Sequence, residues 1–285
     1  MRLAHLILAH NNPLSLERLV NRLIYDNTDI YIHLDKKQAV SAYQHIGTLP
    51  GVVFITNRVD VTWGNYSVIT ATLKSMGEIL NSGNPYSHIN LLSGADYPLK
   101  SPDKIQSFLF KNTGKTFIRW KHIYNEWEET KSRFDKYSFG DYKFPFKYKF
   151  QNIFNSRLAP RKLPNGLEPF GFSQWFTITP ECAAYVIQYL EENDNVRRFF
   201  RMTWGADELV FQTILLNSPL KGKLVNDHLR YIKFKKKASS PEILTIADKD
   251  ILISNDKFYA RKFDAGIDEN ILNLLDEVIE LEPKA

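Results

Sequence analysis

Two adjacent carboxylates in the C-terminal half have the residue types and the setting for acid–base chemistry. Asp207 and Glu208 follow Trp204 and Gly205 in TWGADELVFQTILLN, a segment whose spacing predicts a helix over residues 207–217. Exposed N–H groups and the helix dipole stabilise carboxylates in a first helical turn, which would explain the pair structurally. Trp204 would also put a flat apolar wall beside them, where a sugar could lie next to a base. Both interpretations stand on these residues alone.

Polar residues follow three predicted strands in the N-terminal part of the chain. They are HNN at 10–12, HLDKK at 33–37 and SGADYP at 93–98. The carboxyl ends of parallel strands share one edge of a sheet, so these segments should converge on one crevice. Each segment could instead be an ordinary turn with Asx and Gly chemistry. Taken together, the three favour a binding site.

Basic side chains near the C-terminus could meet phosphate groups. The segment FYARKFD carries Arg261, Lys262 and Asp264, with phenylalanines that would anchor it. A second run, Lys233 with residues 235–237, precedes Ala-Ser-Ser-Pro and reads as a strand end followed by a loop. Such charges usually form a solvated face, although the loop could equally be a lid that contacts phosphate.

The sequence contains no evident metal or cofactor motif. A divalent cation on a diphosphate is often held by Asp-x-Asp at the end of a central strand, but here only Asp96 stands at that place. The single Asp-x-Asp, residues 248–250, precedes an apolar run and is typical of a helix start or turn. A Gly-rich phosphate loop is also lacking. We therefore expect no metal and no cofactor.

The elements that must position these residues alternate between strands and helices. Apolar runs predict strands at 3–10, 29–35, 52–56 and 88–93, and later at 170–179 and 229–234. Amphipathic spacing predicts helices at 15–24, 65–80, 101–110, 180–191 and 268–280. This alternation predicts an α/β fold with a mostly parallel sheet flanked by helices. Residues 120–164, rich in Lys, Tyr and Phe, show no clean period and are predicted to be irregular.

Composition restricts the class of protein further. Apolar residues make up 44% of 285 residues, enough for a sizeable core, and the net charge of +5 is too modest to argue for nucleic-acid binding. The single Cys182 excludes an internal disulfide and favours a reducing compartment. No apolar run approaches the ~20 residues needed to span a bilayer. We expect one compact domain over residues 1–285.

The order and spacing of several motifs resemble one known family. LILAHNNP, IYIHLDKK, WGNYSV, INLLSGADYPLKS, GFSQWFTIT, ADELVFQTIL and YARKFD resemble the core-2/I-branching β-1,6-N-acetylglucosaminyltransferases, relatives of the peptide O-xylosyltransferases. The resemblance covers most of the chain. It implies a GT-A-type, Rossmann-like fold, a UDP-sugar donor, inversion at the anomeric carbon and no required metal. The sugar would be N-acetylglucosamine or xylose, transferred to an acceptor hydroxyl as a β-linkage.

The same resemblance gives roles to individual residues. Glu208 falls on the family's catalytic Glu, and Lys262 on a basic residue that binds the diphosphate. Pro241 stands where animal members carry a second diphosphate Arg, so that role would pass to Arg261, Arg230 or residues 235–237, or be lost. Segments that hold the nucleoside match Leu8, Ala9, His10, Asp35, Lys36, Lys37 and Trp63. Segments near the sugar and acceptor match Asp96, Gln174, Trp175 and Asp207.

These roles divide the chain into functional parts and suggest its setting. Residues 1–115 would bind the nucleotide, 116–169 would be an irregular basic and aromatic insertion, and 170–285 would carry the acceptor and catalytic groups. The animal enzymes' anchor, stem and disulfides have no counterpart here. We therefore expect a bacterial-type cytoplasmic enzyme of polysaccharide biosynthesis, with peripheral contact at the inner membrane face compatible. Its partners would be a UDP-sugar and a glycan or lipid-linked glycan, not nucleic acid.

Two other classes of protein remain compatible with the sequence. A carbohydrate-binding protein without catalysis would account for the 38 aromatic residues, counted as 19 Phe, 14 Tyr and 5 Trp. A basic protein that binds a membrane surface or nucleic acid would account for the stretch around residues 143–149. Stabilisation by UDP separates the enzyme from the first class, and strongly salt-dependent binding to anionic surfaces would indicate the second.

Overall fold

The computed structural model describes residues 1–10, 12–235 and 240–282. Within these residues the strands are β1 (Arg2–Ala9), β2 (Thr28–Leu34), β3 (Val52–Phe54), β4 (Tyr86–Ser93), β5 (Asp96–Pro98), β6 (Thr116–His122), β7 (Phe170–Ile178), β8 (Leu224–Val225), β9 (Arg230–Ile232) and β10 (Tyr259–Arg261). The helices are α1 (Pro13–Leu23), α2 (Tyr66–Asn81), α3 (Pro102–Lys111), α4 (Ile123–Glu126), α5 (Lys131–Asp135), α6 (Lys147–Arg157), α7 (Pro180–Glu192), α8 (Asp194–Arg201), α9 (Val210–Leu216), α10 (Lys249–Ile253) and α11 (Asn270–Glu280).

The chain forms two compact units, each assembled from separate stretches of sequence. The first unit comprises Met1–Thr56, Asn84–Gly114 and Leu229–Ala285, and the second comprises Asn57–Gly83 and Lys115–His228. Elements β1–β5, β9, β10, α1, α3, α10 and α11 belong to the first unit. The remaining strands and helices belong to the second.

A parallel sheet forms the centre of the first unit. Its strand order is β3-β2-β1-β4, and each neighbouring pair runs parallel. The apolar run in β1 explains its central place, because Leu3, Leu6 and Ile7 are each almost fully buried. Helix α1 begins at Pro13, where the Asn12 side chain accepts the Ser15 N–H, and it buries Leu16, Leu19, Val20 and Leu23. The predicted α/β class with a mostly parallel sheet flanked by helices is confirmed.

The ends of β1, β2 and β4 lie side by side at one edge of this sheet. The N–H of Asp35 donates to the Ala9 carbonyl at 2.8 Å, and the N–H of Gly94 donates to the Leu8 carbonyl at 3.1 Å. The segments that follow β2 and β4 are thereby tied to the end of β1. The predicted convergence of the three strand ends on one sheet edge is confirmed, although Asn11 of the first polar segment lies outside the described residues.

A small second sheet in the first unit was only partly predicted. Its order is β5-β10-β9, with β10 antiparallel to β5 and parallel to β9. The strand expected over 229–234 is the three-residue β9, and FYARKFD contributes β10 rather than a simple exposed segment. Strands of three residues are too short to show the alternation that identifies a strand in sequence.

The segment predicted to be irregular contains regular structure. Residues 116–169 begin with strand β6 and continue with helices α4, α5 and α6 in the second unit. Helices α4 and α5 have four and five residues, too few to show a period. Helix α6 buries none of its residues, so it has no apolar stripe facing a core. The expectation of an irregular insertion was therefore wrong.

The carboxylate pair sits in a turn, and the predicted helix begins only after it. Ala206–Glu208 form one turn of 3₁₀ helix, and α9 starts at Val210. Leu209 between them has φ −125° and ψ −42°, which is not helical. By contrast, the Asp-x-Asp was predicted correctly as a helix start, because Thr245 and Asp248 form a capping box before α10.

Candidate active site

Glu208 projects from a turn that glycine makes possible. Gly205, at the start of the turn, has φ +66°, a left-handed conformation that side chains disfavour. Its N–H donates to the Gly64 carbonyl at 2.8 Å, which fixes the turn against the residues before α2. The side chain of Glu208 is 35% exposed. It is therefore directed toward solvent and away from the core.

Arg133, from α5, holds the Glu208 carboxylate. Its Nη1 donates to Glu208 Oε2 at 2.7 Å, and its guanidinium lies 4.5 Å from the ring centre of Trp204 and 5.8 Å from that of Trp127. A charge-assisted hydrogen bond and two ring contacts restrict the guanidinium. An added Cβ on Gly205 would lie 3.3 Å from Arg133 Nη1, so the glycine also makes room for this pair.

Asp207 occupies a very different environment from its neighbour. Its side chain is buried, and burial together with the negative charge of Glu208 raises the pKa of Asp207 to about 7. A carboxylic acid that is protonated in part at neutral pH therefore stands beside an exposed, ion-paired carboxylate. Environments that separate two acids in this way are a common property of catalytic sites.

Strand β7 packs against the turn that carries Asp207 and Glu208. An added Cβ on Gly171 would lie 2.7 Å from the Glu208 carbonyl oxygen, so the glycine allows the strand and the turn to approach closely. Of the residues expected near the sugar, Trp175 is buried on this strand and Gln174 is half-buried beside it. Their roles in binding stay predictions.

Trp63 was expected to bind the nucleoside, and it lies in the second unit. Its ring is 66% exposed and meets the Trp204 ring edge-on, with the centres 5.6 Å apart. Gly64, which follows it, has φ +74°, and an added Cβ would approach Trp204 Nε1 to 2.8 Å. The glycine therefore permits the two indoles to meet. The other residues expected at the nucleoside belong to the first unit.

A groove of about 770 Å³ opens beside these indoles, entirely within the second unit. Trp63, Trp204 and Arg133 line it on one side, and the polar face of α6 lines it on another. Since Arg133 and Trp204 also contact each other at the Glu208 turn, the groove leads to the catalytic candidate. From the sequence, Trp63 and Trp204 were singled out, but the α6 wall of this groove was not.

In the first unit, the residues expected to bind a nucleoside lie at the strand ends. His10 and Lys36 are exposed, Leu8 is partly exposed, and Ala9 is buried. Asp35 is buried and accepts the Lys37 N–H at 2.9 Å, while Lys37 Nζ lies 3.2 Å from its other oxygen. Asp35 thus shapes the turn after β2, and His10, Lys36 and Lys37 present polar groups to solvent.

Asp96 and Arg261 form a buried ion pair where β5 meets β10. Asp96 accepts the Ser93 N–H at 3.1 Å and the Ser93 hydroxyl at 2.7 Å. Arg261 Nε lies 3.1 Å from Asp96 Oδ1, although not at an angle that makes a hydrogen bond. Asp96 was expected near the sugar and Arg261 at the diphosphate. The structure gives each of them an internal partner.

Arg230 is buried in a polar network that sequence reasoning missed. Its Nη2 donates to Asn90 Oδ1 and, at 2.7 Å, to the Leu91 carbonyl, and its guanidinium lies 5.3 Å from the Tyr259 ring centre. Asn90 also meets His5 Nδ1 at 2.9 Å. Burial and the nearby positive charge of Arg230 lower the pKa of His5 to about 3. The only sequence signals of this network were His5 within the apolar run of β1 and Asn90 within that of β4.

The remaining cations differ in their surroundings. Lys262 is partly exposed at the end of β10, and its backbone pairs with Glu242 and Leu244. Lys233 is ion-paired with Glu242 and Asp248, and Lys235 is exposed. Residues 236 and 237 of the proposed phosphate lid lie outside the described residues. Among the described cations expected at the diphosphate, Lys235 is the most exposed, and Lys262 is partly exposed.

Neither a cluster of metal-ligating side chains nor a membrane-spanning helix is present in the part of the chain that the structure describes. In residues 1–10, 12–235 and 240–282, no group of three or more His, Cys, Asp or Glu side chains is placed to hold a metal ion. Over the same part of the chain, no helix combines the length and the apolar character needed to cross a membrane.

Comparison with known proteins identifies relatives of this chain. It is 27% identical to rat (Rattus norvegicus) xylosyltransferase 2 and 26% identical to xylosyltransferase oxt of Drosophila melanogaster, over 97% of this chain and 33% of each relative. The chain therefore spans about a third of the length of these curated relatives. Apo mouse xyloside xylosyltransferase 1 aligns over 90% of this chain and 97% of its own, with a TM-score of 0.44 and 10% identity.

A family model provides the decisive match. The model of the Core-2/I-branching enzymes matches residues 3–252, which include both carboxylates and all three polar strand ends. The predicted resemblance is confirmed, and the parallel sheet of the first unit agrees with the GT-A-type expectation. The chain belongs to the Core-2/I-branching enzyme family.

Proposed function

We propose that the chain is an inverting, metal-independent glycosyltransferase that moves a sugar from a UDP-sugar to an acceptor hydroxyl. The observation that carries this proposal is the setting of Glu208, a partly exposed carboxylate held by Arg133 at 2.7 Å beside two indole rings. Family membership and the relatedness to xylosyltransferases support the reaction class. N-acetylglucosamine and xylose are the proposed donor sugars.

Glu208 would act as the general base. An alcohol is a poor nucleophile until its proton is removed, so a carboxylate must accept that proton as the oxygen attacks the anomeric carbon. One displacement then forms the new C–O bond, breaks the bond to the diphosphate and inverts an α-linked donor to a β-linked product. Arg133 fixes the carboxylate for this step, which preserves the geometry on which proton transfer depends.

Lys262 would stabilise the leaving diphosphate. Negative charge accumulates on the diphosphate as the glycosidic bond breaks, and a cation placed there lowers the barrier. Arg230 and Arg261 have internal partners, so they would contribute mainly by holding β9 and β10 in position. The nucleoside would be bound by His10, Lys36 and Lys37, which lie at the ends of parallel strands.

A donor screen tests the reaction class and the role of metal together. Hydrolysis of a panel of UDP-sugars is measured with and without EDTA, alongside thermal stabilisation by UDP. We expect one donor to be hydrolysed at the same rate in both conditions, and UDP to raise the melting temperature. Loss of hydrolysis in EDTA that Mg²⁺ or Mn²⁺ restores would refute metal independence. Absence of any UDP effect would favour a carbohydrate-binding protein.

The outer face of α6 supports a second property, contact with an anionic membrane that carries a lipid-linked acceptor. Phe146, which is 76% exposed, precedes the exposed Phe150, Ile153 and Phe154. Residues 142–160 contain four Lys or Arg and no Asp or Glu. Exposed aromatic rings interleaved with cations suit the interface of an anionic bilayer, where both burial and charge contribute to binding.

Vesicle co-sedimentation tests this contact. The protein should bind vesicles of phosphatidylglycerol and phosphatidylcholine but not phosphatidylcholine alone. Phe146→Ser with Phe150→Ser should abolish binding, whereas Ile267→Ser, which removes an exposed apolar residue elsewhere, should not. Equal binding by both variants, or none by the unaltered protein, would refute it.

A further inference from the structure

One wall of the groove beside Glu208 is held by hydrogen bonds within the protein. Gln151 and Asn155, one turn apart on α6, accept the backbone N–H groups of Phe139 and Tyr137 at 2.8 and 2.7 Å. Asn155 also donates to the Tyr137 carbonyl at 2.9 Å. These bonds tie the helix to the loop before it. A binding surface fixed in this way loses little conformational entropy when a ligand is bound.

Helix α6 has two chemically distinct faces. Tyr148, Gln151, Asn152 and Asn155 recur at spacings of three and four residues and line the groove. Phe150, Ile153 and Phe154 fall between them on the other side and are exposed. The groove therefore receives a row of amide and phenol groups, of which Tyr148, Asn152 and the Nε2 of Gln151 can donate to or accept from the hydroxyls of a sugar chain.

Aromatic rings provide flat surfaces in the same groove. Trp63 and Trp204 meet edge-on at its inner end, and the exposed ring of Tyr148 lies along the α6 wall. Rings of this kind offer a large, stiff apolar contact area combined with a polar edge. The apolar C–H faces of a pyranose match such rings, and its hydroxyls match the amides between them.

The described charged residues that line the groove are all positive. Arg133, Lys136 and Lys147 line it, and among the described residues that do so there is no Asp or Glu. Lys147 Nζ donates to the Gly140 carbonyl at 3.0 Å, which holds the end of this side chain at the wall. The Glu208 carboxylate offsets one cation through Arg133. A concave surface lined by one sign of charge concentrates ligands of the opposite sign.

We infer that this groove is the acceptor site and that it selects an acidic saccharide, one whose sugar units carry carboxylate or phosphate groups. The inference rests on the proposed function, because it makes Glu208 the base for a hydroxyl of the bound saccharide. Lys136 is exposed and engages the acidic groups, while the rings and amides engage the sugar units. Neutral glycans would lose the electrostatic contribution and bind more weakly.

Binding without donor tests the inference independently of catalysis. Titration calorimetry would use oligogalacturonate as the acidic probe and its methyl ester as a neutral probe with the same backbone. We expect the ester to bind at least tenfold more weakly, and added salt to weaken the acid alone. Equal affinities for the acid and the ester would overturn the inference, as would tighter binding of an oligoglutamate peptide.

Charge variants localise the effect. Lys136→Glu should weaken oligogalacturonate binding at least tenfold, and Lys136→Gln should do so to a smaller extent. Lys221→Glu makes the same change of net charge on an exposed lysine of the second unit outside the groove, and it should stay within twofold of wild type. Equal losses in Lys136→Glu and Lys221→Glu would overturn the site. Failure of the proposed function would instead appear as absent UDP binding, whatever the saccharide result.

Discussion

Asp96 and Arg230 of the first unit and Glu208 of the second, which the family resemblance assigns to the ligand, have very different surroundings. In the first unit, Asp96 and Arg230 are buried and each has partners inside the protein. In the second unit, Glu208 is partly exposed and its guanidinium partner lines an open groove. Asp96 and Arg230 hold strands in place, whereas the Glu208 carboxylate stays accessible to solvent.

The physical reason for this difference is the cost of burying charge. A buried ion must be paired and hydrogen-bonded, so a cation such as Arg230 is already committed to the atoms around it. An exposed ion pair contributes little to stability and can rearrange when a ligand binds. The comparison therefore predicts that substitutions in the second unit affect turnover, whereas most substitutions of buried charges in the first unit affect folding.

The largest expected effect is on turnover in the second unit. Glu208→Gln keeps the shape of the side chain but removes its ability to accept a proton, so turnover should fall about 10²–10⁴-fold while UDP binding is retained. Steady-state transfer and UDP titration measure the two quantities. Glu191→Gln, an exposed glutamate on α7, is the matched control and should be unchanged. Near-normal turnover of Glu208→Gln would remove the base from the mechanism.

A second prediction concerns the buried neighbour of that base. Burial and the Glu208 charge raise the pKa of Asp207 from 3.8 to about 7, so the folded protein binds this proton more tightly than the unfolded chain does. Stability from this group is therefore greatest in acid and is lost as pH rises from about 4 to 7. Asp207→Asn lacks this dependence. As the pH is raised from 5 to 8, the free energy of unfolding of Asp207→Asn should therefore rise by about 2–3 kcal/mol relative to that of wild type.

Urea denaturation at the two pH values measures this difference. Comparing variant with wild type cancels the contribution of His5, whose lowered pKa gives the opposite trend, with stability lost as pH falls below about 6.5. A constant difference between the two proteins across this range would show that Asp207 is ionised in the folded state.

Two cations of the first unit should respond to substitution in opposite ways. Lys262→Ala should weaken UDP binding about tenfold, leave uridine binding unchanged and barely alter the free energy of unfolding, because the side chain is partly exposed. Arg230→Met should do the reverse, destabilising the fold by about 2–4 kcal/mol, because it leaves the buried Asn90 oxygen and Leu91 carbonyl unsatisfied. Equal losses of UDP and uridine binding in Lys262→Ala would exclude a phosphate contact.

Sequence predicted the parts of the fold that have a long, regular pattern. The buried apolar run of β1 and the polar residues after β1, β2 and β4 were enough to place three segments at one sheet edge. Sequence missed or misjudged the shortest elements, because a few residues define no period. These elements are the three-residue strands β5, β9 and β10 and the short helices α4 and α5.

The candidate site was predicted only where a motif carried it. Glu208 lies in ADELVFQTIL, but Arg133, which holds it, is 75 residues earlier in a segment with neither period nor motif. Its partnership with Glu208 is a tertiary contact that spacing cannot reveal. The groove was missed for the same reason, since its α6 wall is brought to Trp63, Trp204 and Arg133 only by tertiary contacts.

The central claim is that a carboxylate beside Arg133 takes the acceptor proton, and chemical rescue tests it most directly. Glu208→Ala leaves space for a small carboxylate, which Arg133 would hold as it holds Glu208 Oε2 at 2.7 Å. Turnover of Glu208→Ala should rise with added formate and reach saturation, while the unaltered enzyme and Glu208→Gln should not respond. Turnover of Glu208→Ala that ignores formate, or equal stimulation of all three proteins, would contradict the account.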